Sequence, residues 1–261
     1  SKWGDQESIP VQKLSHRLLT HLRKHSQVEE SDFWNELCIS HQAVPQFTFQ
    51  LENDTVRLRL QAVSLVDQSQ WQWTGHEWQQ EVSSETGDHR AAVLDDPRVD
   101  AATQWLRRLD WFTPEPGLWV GDANENFLIG LSQVWPDRPQ EADYLGNGAF
   151  QRLFLNNKRL KPKLVMHGSG IDWLSVSADW EQEGMMLSEA DLKRLQTATG
   201  RFVKLPDGGW VELDTQAVEQ AQETMAELGV DGLANDPQKV SLIHASQLDE
   251  ASLNDFGNNA K

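Results

Sequence analysis

The chain has 261 residues, 38% hydrophobic and 24% charged, enough apolar material for one large core or two ordinary ones. Its formal charge of −17 opposes sequence-independent binding of the whole chain to nucleic acid, because that binding depends on Lys and Arg displacing counterions from phosphates. No apolar run is long enough to span a bilayer and SKWGDQESIP lacks a secretory leader pattern, so the expectation is a soluble, cytoplasmic protein with no membrane partner. In residues 9–24, Val11, Leu14, Leu18, Leu19 and Leu22 recur at helical spacing. SDFWNELCIS opens with a Ser or Asp cap and predicts a second helix, with the lone Cys38 among Phe33, Trp34 and Leu37 as a buried, reduced thiol.

The period then changes to two. QFTFQL and VRLRLQAVSL alternate apolar and polar residues around ENDT, which predicts a β-hairpin. QWQWTGHEWQQ continues with Trp71 and Trp73 on one strand face and Trp78 beyond Gly75, and SSETGDHR reads as a loop. In DDPRVDAATQWLRRLDWF, Asp96 is placed to cap a helix with Pro97 at its first position and Val99, Ala102, Leu106 and Leu109 as its apolar stripe. TPEPG ends it, LWVG reads as a short strand, and NENFLIGLSQVW as a helix.

PKLVMHG and IDWLSVSADW read as strands, the second covered on both faces. LSEADLKRLQTAT carries Ser188 and, three residues on, Asp191, a capping box, and stops at Gly200. RFVKL, PDGG and WVEL form a tight hairpin, and Asp214 caps TQAVEQAQETMAEL, which ends at Gly229. The fold class expected is α+β, with small mixed sheets, flanking helices and two subdomains: an N-terminal α+β region over 1–145 and a second α+β module over 150–230. Residues 231–261 are polar and acidic and read as a linker.

Charge is unevenly spread. From Glu212 to Lys261 there are ten acids against two lysines, whereas QRLFLNNKRLKPK carries Arg152, Lys158, Arg159, Lys161 and Lys163 and no acid. That basic run is the candidate contact for nucleic acid or an acidic partner, with a solvated face as the alternative. No Walker loop and no Gly-x-Ser-x-Gly elbow occurs. Of His16, His21 and His25 only the last two share a helical face, without the carboxylate a zinc protease needs. The adjacent acids Asp95 and Asp96 diverge around a cap, so no catalytic residue, metal or cofactor is expected in this chain, though a cleft joining Asp95, Asp122 or Asp172 would reopen the question. Trp71, Trp73 and Trp78 could instead form a stacking platform, which supports an alternative reading as a stand-alone protein- or carbohydrate-binding module.

The stretch from Leu160 to Ala221 resembles the associated region that precedes the helicase-like motor in bacterial Swi/Snf-type DNA-dependent ATPases. The likeness is carried by Gly170, Asp172 and Trp173, then Gly184, Leu187, Leu192 and Leu195, then the hairpin residues Val203, Leu205, Pro206, Asp207, Gly208, Trp210 and Leu213. A weaker likeness to upstream strands of some members lies between Phe47 and Trp78. The resemblance covers about a quarter of the chain, without the zinc cluster some relatives carry and without any ATPase motif. It implies a non-catalytic N-terminal fragment that positions or regulates a DNA-translocating motor beyond Lys261, where ATP and Mg would bind. The partners it implies are that motor in cis, DNA, or a protein of a phage-defence or DNA-repair system. On this view Gly168 and Gly170 allow a tight turn, Asp207 to Gly209 close the hairpin, and Trp173 and Trp210 fill the core.

Overall fold

Around Asn53 the alternating runs fold into a hairpin of two ten-residue strands: β2 (Ala43–Glu52) pairs antiparallel with β3 (Thr55–Ser64), and Asn53 takes the left-handed φ of 53° that the two-residue turn needs. It belongs to a computed structural model that describes residues 18–19, 21–22, 31–81, 90–156, 158–168, 173–180, 185–241, 243 and 256. The architecture is α+β, with several small sheets. The chain divides into two units, residues 1–123 with 130–147 and residues 124–129 with 148–261.

In the first unit, α1 (Ser31–Leu37) leads directly into β1 (Cys38–His41), so the helix expected to run on through Cys38 stops one residue before it. Cys38 is buried, as expected, but as a strand residue: β1 pairs in parallel with β6 (Ala91–Leu94), a partner more than fifty positions away that no local period could announce. The curled main sheet runs β5 (Trp78–Gln80), β4 (Gln70–Trp73), β3, β2, β9 (Asp143–Gly146). The hairpin of β7 (Phe112–Glu115) and β8 (Leu118–Asp122) joins it through β8 on β3. One face is apolar: Phe47, Phe49, Leu58 and Leu60 are fully buried. Over it lies α2 (Pro97–Leu106), whose Trp105 meets Phe47 edge-on at 5.1 Å. The expected cap is present: Asp96 accepts the Arg98 amide, and its second oxygen accepts the Ala43 amide, fastening the helix start to β2. After α3 (Glu125–Val134), Asn147 brackets Leu51, accepting its N–H and donating to its carbonyl, and this holds the end of β9 beside β2.

The second unit is built on β10 (Pro162–Gly168), β11 (Trp173–Trp180) and β14 (Gln238–Ser241), in that order and all antiparallel. Beside them lie α4 (Glu189–Gln196), the hairpin β12 (Phe202–Leu205) and β13 (Gly209–Glu212), and α5 (Thr215–Glu227). The Ser188 to Asp191 capping box and the Asp214 cap form as expected, and α5 ends at Gly229 with φ of 73°. The acidic linker expected over 231–261 is corrected for residues 231–241 and Phe256, while 242, 244–255 and 257–261 lie outside the described residues. Gln238–Ser241 is a strand on β11, and Leu233, Val240 and Phe256 enter the core, because a few apolar residues in a polar stretch suffice once a sheet edge is available to pair with them. Among the described residues no helix is long and apolar enough to cross a membrane.

Candidate functional site

The basic run leaves the short helical turn Gln151–Leu155 and enters β10. Lys158, Lys161 and Lys163 are exposed or half-exposed. Arg152 is half-buried, and its Nε is closed off from solvent without a hydrogen-bond partner among the described residues. Arg159 is committed elsewhere. Its Nε donates to Oε1 of the buried Glu212 at 2.9 Å, and the same oxygen accepts from Arg201 at 2.9 and 2.8 Å. Burying a carboxylate costs free energy unless it is hydrogen-bonded, and Arg159 and Arg201 supply those bonds to a Glu212 side chain that is 5% exposed. The backbone repeats the link: the Leu160 amide donates to the Glu212 carbonyl, and the Asp214 amide donates to the Leu160 carbonyl. The five cations read together from the sequence are therefore three exposed lysines, one half-buried arginine and one arginine, itself about half exposed, whose Nε is paired with the buried Glu212.

Asp207 and Gly208, two of the residues that carry the resemblance, form a second constellation with Ser188 and Asp191. Asp191 is fully buried, and its Oδ1 accepts the amides of Asp207 and Gly208 at 2.9 and 3.3 Å while Oδ2 accepts that of Ser188 at 3.1 Å. The Ser188 hydroxyl accepts the Asp191 amide and donates to Asp207. Burial disfavours the charged form of Asp191, but the amides of Asp207, Ser188 and Gly208 outweigh it and hold the carboxyl below the usual carboxylate range. Pro206, Asp207 and Gly208 thus form a turn clamped onto the start of α4. A Cβ at Gly208 would press on the ends of the Met185 and Leu205 side chains, and Gly209 supplies the positive φ of 73°.

The sequence places two tryptophans in this core, and the register corrects that. Trp173 lies on the face of β11 shared with Ser175 and Ser177, opposite Leu174, Val176 and Ala178, and it is half-buried beneath Lys239, whose Nζ lies 4.5 Å from the ring centroid. Trp210 is paired with Lys204, also half-buried, on the face opposite Val203 and Val211. The indole that fills the core is Trp180. Gly168 is the last residue of β10, opposite Leu174, and Gly170 and Asp172 lie outside the described residues.

The Trp71, Trp73 and Trp78 platform is likewise corrected. All three are buried, at 3%, 8% and 4% exposure, and Trp73 packs on Trp78, because their strand face is the one turned to the core. Of the acids considered for chemistry, Asp95 and Asp122 are exposed, while Asp96 is held below the carboxylate range chiefly by its Arg98 hydrogen bonds. His16 and His25 lie outside the described residues.

One grouping is not visible in the sequence. His41, Ser64 and Asp67 supply the residue types of a hydrolase triad, brought together by the turn after β3. The Ser64 hydroxyl at 3.0 Å and the Asp67 carboxylate at 3.6 Å both meet the same ring nitrogen, Nδ1, and Ser64 is fully buried. A relay needs opposite nitrogens and an accessible hydroxyl, so the trio is a packing element. Asp67 is held down to about 2: burial works against its charge, but hydrogen bonds from Ser69 and Ser64 and the charge of His41 prevail.

No family model, curated protein or solved structure matches the chain.

Proposed function

We propose that the chain is a non-catalytic accessory region of a Swi/Snf-type DNA-dependent ATPase, docking on the motor in cis or on a partner protein and steering the motor's use of DNA. The reading is supported by how the motif residues are used. Asp207 and Gly208 bind Asp191, and the strand after them ends at Glu212, which holds Arg159 and Arg201; the polar groups of the signature are spent on holding a hairpin to a helix and a strand. Such a scaffold presents a surface. Direct DNA contact is the narrower version of the proposal, because the run offers only Arg152, Lys158, Arg159, Lys161 and Lys163, with Arg152 half-buried and Arg159 paired with Glu212, in a chain of charge −17. ATP and Mg belong to the motor on this reading.

The test is DNA-stimulated ATP hydrolysis by the polypeptide that carries both this region and the motor, compared with the same polypeptide lacking residues 1–261. A several-fold change in turnover or in its DNA dependence is expected. Equal turnover at every DNA concentration would sink the proposal.

A further inference from the structure

β3 has one side taken along its full length by β2, so its other side must serve two hairpins in succession. β8 pairs with its first half, Thr55 to Leu58, and β4 with its second, Gln61 to Val63. The β7–β8 and β4–β5 hairpins therefore leave the same edge of β3 next to one another, with a groove of about 560 Å³ between them. Its walls include Glu77 and Gln79 on one side and Thr113, Pro114, Glu115 and Pro116 on the other. The hairpins are tied by Gln72, whose side-chain amide donates to the Gly117 carbonyl at 3.4 Å. Gly117 has φ of 81°, and a Cβ there would run into the Gln72 side chain, so glycine is what allows the two turns to approach.

We infer that this groove receives an extended lysine- or arginine-bearing segment of a partner protein. The inference rests on the docking reading above and names the chemistry of the partner. Charge complementarity selects the occupant: residues 31–147 hold nineteen acids against seven arginines and no lysine, a net −12. A polyanion is repelled by that field, and a cationic segment is drawn to it. Within the groove Glu77 and Glu115 offer carboxylates, and the neighbouring cation Arg59 meets Glu115 at 3.3 Å in a pair that is about half exposed on both sides and so open to exchange. Pro114 and Pro116 supply apolar surface for the methylene stems of Lys and Arg. β7 is exposed at all four positions on the sheet edge, but Pro114 has no N–H to give, so the segment is held by side chains in the groove rather than added as a further strand.

The experiment titrates the 261-residue chain with an alternating lysine–alanine octapeptide at low and moderate salt. Three proteins are compared: the wild type, Glu77→Gln with Glu115→Gln, and a control of equal charge change in the second unit, Glu219→Gln with Glu223→Gln. Thermal melts establish that all three are folded. The expected result is salt-sensitive binding that the groove pair weakens roughly fivefold or more and the control pair leaves nearly unchanged. No binding at low salt, or equal weakening by both pairs, overturns the inference. Binding of duplex DNA in place of the peptide also overturns it, while supporting the DNA form of the docking proposal. The two experiments separate the failures: turnover that changes while the peptide does not bind overturns the groove alone, and peptide binding with equal turnover overturns the motor reading.

Discussion

Asp191 is one buried side chain that accepts from three backbone amides, and its removal takes the partner from all of them. Asp191→Ala is expected to cost about 3 kcal/mol, since each buried donor left without a partner costs about 1 to 3 kcal/mol and some will find water. Chemical denaturation measures it. The pH dependence has a definite sign. The folded carboxyl titrates below its unfolded value, so its contribution is fully present above the ordinary aspartate range of about 3.9 and is lost as pH falls through the depressed folded value. Denaturation midpoints of the wild type should therefore fall more steeply below about pH 4 than those of Asp191→Asn; parallel curves would mean that the clamp does not titrate. Glu212 gives a companion case. Glu212→Gln removes the charge facing Arg159 and Arg201 and should cost about 1 kcal/mol, read as a lowered thermal midpoint, because both arginines are partly open to water and the amide oxygen still accepts from them.

Among the elements, two glycines with nearly equal φ separate backbone strain from crowding. A Cβ added at Gly209, where φ is 73°, would point into open space, whereas one at Gly117, where φ is 81°, would strike the Gln72 side chain. Gly209→Ala should cost about 1 kcal/mol from the left-handed conformation alone, and Gly117→Ala about 1 to 2 kcal/mol more. Equal losses in urea denaturation would show that Gln72 moves aside freely. The same contrast between local and distant causes explains what can be read in advance. The β2–β3 hairpin, the Asp96, Ser188 and Asp214 caps and the Pro206 to Gly209 turn are specified by residues a few positions apart. β1, β9 and β14 are four-residue strands made by partners far along the chain, and nothing local distinguishes CISH from the end of a helix or QKVS from a linker. The candidate site divides in the same way. Its lysines can be found by composition, but the diversion of Arg159 to Glu212 depends on a pairing across fifty-three positions. The tryptophans are misplaced by spacing alone because spacing shows which residues share a face, and only the fold shows which face is inside.

For the molecule as a whole, charge decides which partners are reachable. With −17 overall, any affinity for duplex DNA must come from a small surface and should be weak and steeply dependent on salt. Lys161→Glu with Lys163→Glu should lower the slope of log affinity against log salt by about two, one for each phosphate no longer neutralised. Fluorescence anisotropy with labelled duplex checks this, and an unaltered slope would remove these lysines from any DNA contact. The ion cluster at Glu212 bears on what such a binding measurement reads. Arg159→Ala would loosen the joint where the basic run meets the second hairpin, and an assay scoring only complex formation would count the damage as a missing handshake. Pairing each binding curve with a folding curve is what keeps a hinge pin from being mistaken for a fingertip.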